Sequence, residues 1–181
     1  MVQRKVAGWA GLILLAAPGL ARAQPHAEVV VSPYEDAEAR ALAALDDAVA
    51  TVDVAHYNIR SEVFHAKLGE LRDRGVRVRI VVDAKNAGHD WNTLDDRFEA
   101  DGFAIRRYEN TGHAYAIMHH KFTVIDDALV MTGSYNWNLT AQVTNDENMV
   151  VVRDPKLVAA YAHEFAELLG EAPHTPGPAV G

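Results

Sequence analysis

Short apolar stretches with a period of two residues alternate with stretches of helical period along this chain, and the alternation restricts the folds open to it. Residues 76–82 have apolar side chains at every second position, with arginines between them, which is the pattern of a β-strand. The preceding stretch has apolar residues at helical spacing, with Ser61 as an N-cap and Gly75 where a left-handed residue would end the helix. The sequence therefore predicts a helix followed by a strand.

The same alternation continues through most of the chain. Strands are predicted at residues 27–31, 51–59, 76–82, 103–108, 118–125, 128–131 and 148–152. Three further helices are predicted. The first follows a capping box at Ser32-Pro33-Tyr34-Glu35, the second contains Leu94 and Phe98, and the third begins at Asp154-Pro155. Because the later strands follow one another without a clear helix, we expect an α/β fold with a mixed β-sheet flanked by helices on both faces.

The first 23 residues have the composition of a secretory signal peptide. A basic start precedes an apolar stretch at residues 6–20, and Ala21-Arg22-Ala23 has the small residues of a cleavage site. A buried core helix and an uncleaved membrane anchor are the alternatives, although the stretch is short for a membrane span. We expect cleavage before Gln24 and export to the periplasm or secretion.

Composition narrows the remaining possibilities. Residues 24–181 are expected to form a single domain, with the Pro- and Gly-rich residues 171–181 as a loose tail. The chain contains no cysteine, which excludes a disulfide scaffold and a zinc site built on cysteines. Its formal net charge is −8, and all the charged residues among residues 1–23 are basic, so their removal makes the chain more acidic. Such an acidic chain is a poor general polyanion binder, so contact with nucleic acid would be confined to a local patch.

The residues suited to chemistry are concentrated around one predicted strand. His119 and Lys121 are two positions apart, so their side chains point to one face, whereas His120 points to the other. An imidazole suits nucleophilic attack or proton transfer, and an ammonium group suits a phosphate oxygen. We expect a packing or surface role for His120.

A second pair of polar residues follows on the next strand signal. Ser134 and Asn136 are also two positions apart, and Gly133 beside them permits a close approach of backbone or substrate. If the two strands are neighbours, an imidazole, an ammonium, a hydroxyl and an amide meet at one place. Asp126 lies at an odd offset from His119 and begins a turn, so we expect it to support the loop. Nothing in this set resembles a metal cage.

These residues together resemble the signature of the phospholipase D superfamily. The matching positions are His119-x-Lys121-x4-Asp126-x6-Gly133-Ser134-x-Asn136. Glu147 lies where that family carries a glutamate partner for the histidine. The resemblance covers most of residues 28–169 and implies the phospholipase D/nuclease-like sandwich. It also implies a catalytic set without metal or cofactor, formed by His119, Lys121, Ser134, Asn136 and Glu147, with Asp126 and Gly133 in support.

One motif copy behind a leader is similar to the small secreted bacterial endonucleases of this superfamily. Single-copy members pair two chains across a two-fold axis, so the resemblance implies a homodimer with a shared active site. It implies that a neutral His119, oriented by Glu147, attacks phosphorus to give a phosphohistidine while His119 of the second chain protonates the leaving group. Lys121, Asn136 and Ser134 would hold the developing charge. The eukaryotic mitochondrial relatives carry a cysteine-based zinc site, and this chain departs from them.

Three functions are compatible with the sequence. The favoured one is a metal-independent phosphodiesterase that acts on nucleic acid, and the alternative is a phospholipase D that cleaves phospholipid head groups. An inactive phosphate-binding module is the third. The absence of an apolar docking helix disfavours a lipid substrate, whereas the acidity of the chain disfavours DNA.

The other polar residues have simpler interpretations. His56 continues the apolar face of its strand, so a satisfied core histidine is expected, and Trp137 is expected to pack a turn. Solvated positions are expected for Arg77, Arg79, Arg106 and Arg107, and a phosphate-tracking strip is the alternative for these arginines. Solvated positions are also expected for His65, His89, His113, Tyr115, His163 and His174. His113 and Tyr115 could instead line an entrance to the site.

Overall fold

A computed structural model describes residues 26–87 and 94–173 of the chain. The predicted signal segment, His89, His174 and most of the predicted tail lie outside the described residues. Within the described ranges, no helix combines the length and the apolar character needed to cross a membrane.

The described residues form one mixed β-sheet of seven strands. The strands are β1 (Ala27–Ser32), β2 (Thr51–His56), β3 (Arg77–Asp83), β4 (Ala104–Tyr108), β5 (Lys121–Ile125), β6 (Leu129–Gly133) and β7 (Glu147–Val152). Their order across the sheet is β1-β7-β6-β5-β2-β3-β4. Strands β2, β3 and β4 are parallel to one another, and all other neighbours are antiparallel. The predicted mixed sheet is confirmed.

Six helices connect and cover these strands in the described ranges. They are α1 (Ala37–Asp46), α2 (Glu62–Asp73), α3 (Ala84–Ala87), α4 (Asp95–Ala100), α5 (Leu139–Val143) and α6 (Pro155–Leu169). Each parallel connection between β2, β3 and β4 includes a helix, whereas β5 and β6 are joined by a tight turn. This difference follows from geometry, because parallel strands need a crossover and antiparallel strands do not.

The sheet separates two apolar layers. On one face, Leu45 of α1, Phe64 and Leu68 of α2 and Phe98 of α4 are fully buried. On the other face, α6 is the helix among the described residues that covers the sheet, through Val158, Phe165 and Leu168, which cluster with Phe122. Burial of each large apolar side chain contributes about 1.5–3 kcal/mol, so helices on both faces are required to cover this sheet. The predicted two-sided arrangement is confirmed.

The helix ends confirm one predicted pair of end signals and contradict another. The Ser61 hydroxyl accepts a hydrogen bond from the Phe64 amide, and Gly75 has a φ of 89°, so both predicted ends of α2 are confirmed. The predicted capping box at residues 32–35 is wrong. Ser32 belongs to β1 and its hydroxyl donates to the Ala141 carbonyl, while the N-cap of α1 is Asp36.

Candidate active site

All seven strands end or begin at one edge of the sheet, and this edge holds most of the polar residues of the sequence motif. Because β5 runs antiparallel to β2, it begins where β2 ends, and β7 begins where β6 ends. An open cavity of about 530 Å³ lies at this edge, and its lining residues are His119, Lys121, Gly133, Ser134, Asn136, Glu147 and Asn148. The structure therefore brings together all the predicted site residues except Asp126.

His119 and Lys121 are held on the same side by the start of β5. Lys121 is the first residue of this strand, so His119 lies in the preceding segment and not in a strand as predicted. The Lys121 Nζ donates to the His119 carbonyl at 2.8 Å, and the His119 ring packs edge-on against Tyr57 with the centroids 4.7 Å apart. His120 points away, with its Nε2 3.1 Å from a Glu164 oxygen. The predicted opposition of the two histidines is confirmed.

Burial and charge favour the neutral form of His119. Partial burial lowers the pKa of His119, and the positive charge of Lys121 lowers it further, against a smaller opposing effect of Asp83. Burial likewise lowers the pKa of Lys121, and the negative charge of Glu147 opposes this. A neutral imidazole has a free lone pair, which a nucleophile at phosphorus requires.

Gly133 allows β6 and β7 to approach closely. Its φ is 146°, and a Cβ atom at this position would lie 2.2 Å from the Asn148 carbonyl oxygen. Strand β6 ends at Gly133, so Ser134 and Asn136 lie in the loop after it and not on a strand as predicted. The amides of Ser134 and Tyr135 both donate to the Asn148 carbonyl. These two hydrogen bonds hold the loop against β7, where Ser134 and Asn136 line the cavity.

The Ser134 hydroxyl and the Asn136 amide have hydrogen-bonding capacity left. The Ser134 oxygen accepts from the backbone and side-chain nitrogens of Asn148, at 3.1 and 3.4 Å. A hydroxyl that accepts twice still has its own proton to donate. The Asn136 Oδ1 is buried and has no hydrogen-bond partner. Both side chains can therefore respond to a group that enters the cavity.

Glu147 corrects one expectation. It lines the cavity, but its carboxylate accepts a hydrogen bond from the Asn145 side chain at 2.9 Å, and the His119 ring instead contacts Tyr57. The structure therefore shows no hydrogen bond between these two described residues through which Glu147 could orient His119 as expected. Glu147 acts on the site through its charge, which favours the ammonium form of Lys121.

Asp126 lies at the opposite end of β5. Its carboxylate accepts from three backbone amides, those of Val49, Ala50 and Thr51, at 2.7–2.8 Å. Burial opposes its ionisation, but these three hydrogen bonds prevail and lower the pKa of Asp126. The structural role predicted for this residue agrees with its position.

Asp83, which is not among the predicted site residues, fixes the segment before His119. Asp83 is the last residue of β3, is almost fully buried, and accepts from the Met118 amide at 2.8 Å and from the Asn86 amide at 2.8 Å. It thereby anchors the residue that precedes the histidine. A polar residue at the carboxyl end of an apolar parallel strand is the signal that could have revealed it.

The remaining histidines divide into confirmed and corrected predictions. His56 is buried as predicted, but it is not fully satisfied, because its Nδ1 has no partner and its Nε2 is 3.5 Å from the Thr123 hydroxyl. His65 was expected at the surface, and this is wrong. It is 8% exposed, packs against Phe98 and lies 2.9 Å from an Asp101 oxygen.

The arginines do not form a phosphate-tracking strip. Arg79 makes two hydrogen bonds to Asp53 and a third to Glu171. Glu171, the first residue of the predicted loose tail, is therefore bound to the sheet. Arg107 is bound by three carboxylates of the α4 region, and Arg106 donates to a backbone carbonyl. Trp137 is not confined to packing a turn, because its ring is buried in the apolar core and stacks 4.1 Å from that of Phe64 in α2.

A second cavity adjoins the opposite side of His119. It measures about 350 Å³ and is lined by Tyr108, Asn110, Ile117, Met118, His119, His120, Glu164, Glu167 and Leu168. Its lining contains two carboxylates and neither lysine nor arginine. His119 therefore separates a cavity rich in hydrogen-bond donors from an acidic one. In the part of the chain that the structure covers, no group of three or more His, Asp or Glu side chains is placed to hold a metal ion.

Comparisons with known proteins agree with this geometry. Residues 41–169 match the family model described as cardiolipin synthase, PLD-like domain. The fold is similar to that of Nuc from Salmonella typhimurium, a phospholipase D family member, with a TM-score of 0.69, 27% identity and coverage of 81% of this chain and 95% of that chain. NucT from Helicobacter pylori has the same fold, with a TM-score of 0.71, 22% identity and coverage of 80% and 95%. The chain belongs to the phospholipase D superfamily.

Two relatives found by sequence are named as cardiolipin hydrolases, unlike Nuc and NucT. The chain is 37% identical over 124 residues to the mitochondrial cardiolipin hydrolase of Chlamydomonas reinhardtii, which covers 68% of this chain and 53% of the relative. It is 32% identical to the human mitochondrial cardiolipin hydrolase, with coverage of 86% and 60%. The chain thus spans roughly half to two thirds of the length of these relatives.

Proposed function

We propose that this protein is a metal-independent phosphodiesterase that cleaves nucleic acid. The observation that carries the proposal is the composition of the larger cavity, whose lining side chains are polar and which is open to solvent. Its Lys121 ammonium, Ser134 hydroxyl and Asn136 amide suit the non-bridging oxygens of a phosphodiester. A polymer backbone can lie across an open polar cleft without burying apolar groups.

The reaction proceeds in two displacements at phosphorus. A ring nitrogen of neutral His119 attacks, an N–P bond forms, and the bond to the leaving oxygen breaks as a protonated histidine supplies its proton. Water then attacks the phosphohistidine, its proton passes to the second histidine, and the N–P bond breaks. Lys121, Ser134 and Asn136 stabilise the charge that develops on the equatorial oxygens, and Glu147 supports the charge of Lys121.

The second histidine comes from a second copy of the chain. One copy offers a single His119 at the cavity, because His120 faces away and is bound to Glu164. A two-fold axis beside the cavity would place His119 of both copies on opposite sides of one phosphorus atom. Mixed dimers test this arrangement. Dimers of wild-type and His119→Ala chains should be inactive, and retention of half the normal rate would contradict the shared site.

The substrate is tested by parallel assays on single-stranded DNA, double-stranded DNA and phosphatidylcholine vesicles, each with excess EDTA. We expect DNA cleavage that persists with the chelator, together with an acid-labile phosphoryl adduct on His119. Loss of cleavage with EDTA would reject the metal-independent scheme. Cleavage of vesicles without cleavage of DNA would reject nucleic acid as the substrate.

A phospholipid is the second candidate, and the acidic cavity beside His119 favours it. Glu164 and Glu167 disfavour a second phosphate there and would accept an uncharged or cationic head group. The names of the cardiolipin hydrolase relatives point in the same direction. If this candidate is correct, choline release in the vesicle assay is lowered by Glu164→Gln, whereas hydrolysis of a small chromogenic phosphodiester is not.

Export is a separate proposal. The basic and apolar composition of residues 1–23 supports a cleaved leader. Expression of the full chain in a bacterium, followed by fractionation and N-terminal sequencing, tests it. A mature protein that begins at Gln24 in the periplasm is expected, and an intact N-terminus in the cytoplasmic fraction would reject cleavage.

A further inference from the structure

His56 lies directly behind the lysine of the candidate site. It is the last residue of β2, and its cross-strand partner in β5 is Lys121, so the two side chains are neighbours on the same face of the sheet. They are 3% and 8% exposed, respectively. The ring of His56 also packs against Trp137, with the centroids 4.4 Å apart, which fixes its orientation.

The imidazole has one ring nitrogen without a partner. Its Nε2 is within 3.5 Å of the Thr123 hydroxyl, while its Nδ1 is buried and makes no hydrogen bond. A buried polar atom of this kind costs about 1–3 kcal/mol unless it is satisfied, so its presence beside a charged group calls for an explanation. Burial and the charge of Lys121 lower the pKa of His56 to about 3, which favours its neutral form. A neutral imidazole with Nε2 protonated offers Nδ1 as an acceptor.

A small cavity of about 10 Å³ joins the two residues. His56 and Lys121 both line it, together with Thr123 and Tyr135. This volume is at the lower limit for a single water molecule, so no part of a substrate can reach the imidazole. Any effect of His56 on the reaction therefore acts through Lys121.

We propose that His56 is a positioning residue that holds the ammonium group of Lys121 through one water molecule in the small cavity, which donates to Nδ1 and accepts from the Lys121 Nζ. One Lys121 proton is donated to the His119 carbonyl, a second would be donated to this water, and the third is left to point at a phosphate oxygen. The inference rests on the proposed phosphodiesterase function, because Lys121 must be charged and directed to bind phosphate.

The test combines two substitutions with a matched control. His56→Asn keeps an acceptor near the Nδ1 position, whereas His56→Leu removes it. His65→Leu is the control, because His65 is another buried histidine in the same apolar layer but lies away from the cavity. We expect His56→Leu to lower kcat for a chromogenic phosphodiester about tenfold, and His56→Asn to recover most of it. His65→Leu should lower Tm with unchanged kcat.

The titration of Lys121 provides a readout that does not depend on activity. The chain contains five lysines, and Lys121→Met assigns the signal in a ¹³C-lysine NMR spectrum. The titratable groups around Lys121 are His56, Tyr57, His119, Tyr135 and Glu147. Only His56 changes in this comparison. Loss of the acceptor should lower the pKa of Lys121 by about one unit in His56→Leu but not in His56→Asn.

If either variant fails to fold, a measurement on the wild-type protein still tests the proposal. The ¹⁵N spectrum of the His56 ring should show Nδ1 unprotonated from pH 5 to pH 9. A ring protonated at Nδ1 would overturn the proposal, as would an unchanged Lys121 titration in His56→Leu. If wild-type protein hydrolyses no phosphodiester while the Lys121 titration shifts as expected, the proposed function fails and the contact between the two side chains stands.

Discussion

The two ends of strand β5 use polar residues in opposite ways. At its start, Lys121, Ser134 and Asn136 surround an open cavity, and each has hydrogen-bonding capacity left over. At its end, the Asp126 carboxylate is occupied by three backbone amides. A carboxylate that is saturated by the fold has little left for a ligand, whereas donors and acceptors without full partners can bind one. The difference separates the residues that hold the fold from those available for chemistry.

The strongest test of this comparison is His119→Ala. Removal of the nucleophile should lower the rate by at least about 10⁴-fold, because no other described imidazole faces the cavity. Tm should stay close to that of the wild type, since the ring is exposed and its packing is limited to an edge contact with Tyr57. Steady-state kinetics and thermal unfolding provide the measurements.

His120→Ala is the matched control for this substitution. The two histidines are adjacent in sequence and share the second cavity, but only His119 also lines the cavity that holds Lys121, and His120 faces Glu164. We expect its rate on a small phosphodiester to stay within about threefold of the wild type. If both substitutions abolish the reaction to the same extent, the assignment of one histidine to the chemistry is wrong.

Lys121→Met should have the next largest effect. The side chain keeps its length and loses its charge, so a phosphate loses a preorganised donor, and kcat should fall by about 10²–10³-fold. The fold should persist, because Lys121 is 8% exposed and an apolar side chain suits this environment. Lys67→Met, remote from the cavity, is the control and should retain the normal rate. A decrease below tenfold for Lys121→Met would remove this residue from the charge-stabilising set.

Asp126→Asn should affect stability and not chemistry. The amide cannot reproduce all the hydrogen bonds to Val49, Ala50 and Thr51, and we expect a loss of about 1–3 kcal/mol in the free energy of unfolding at neutral pH. Urea denaturation measures this loss. The rate per folded molecule should not change. Asp127→Asn, at the neighbouring turn position, should have a smaller effect.

The pH dependence sharpens the Asp126 prediction. The folded state lowers the pKa of Asp126, so its carboxylate stabilises the protein above the unfolded pKa of about 4 and loses this contribution as the pH falls through the lower folded value. The stability difference between wild type and Asp126→Asn should therefore shrink on acidification below about pH 4. A difference that stays constant down to pH 2 would contradict the role of the charge.

Local patterns predicted much of the fold and of the site. The period of two at residues 76–82 and the caps of α2 depend on neighbours in sequence, and both are confirmed. The separation of His119 from His120 follows from the alternation of side chains, and it is also confirmed. The capping box at residues 32–35 failed because a serine can also bond across the fold, here to the Ala141 carbonyl.

The sequence by itself determined which residue types stand together and which face each side chain takes, because side-chain direction depends only on local backbone geometry. The tertiary structure decided which strands are neighbours. It therefore placed Asp83 under the segment before His119, paired His56 with Lys121 and directed Glu147 to Asn145. These contacts join residues of different elements. Their partners depend on strand order and register, which periodicity along one strand does not encode.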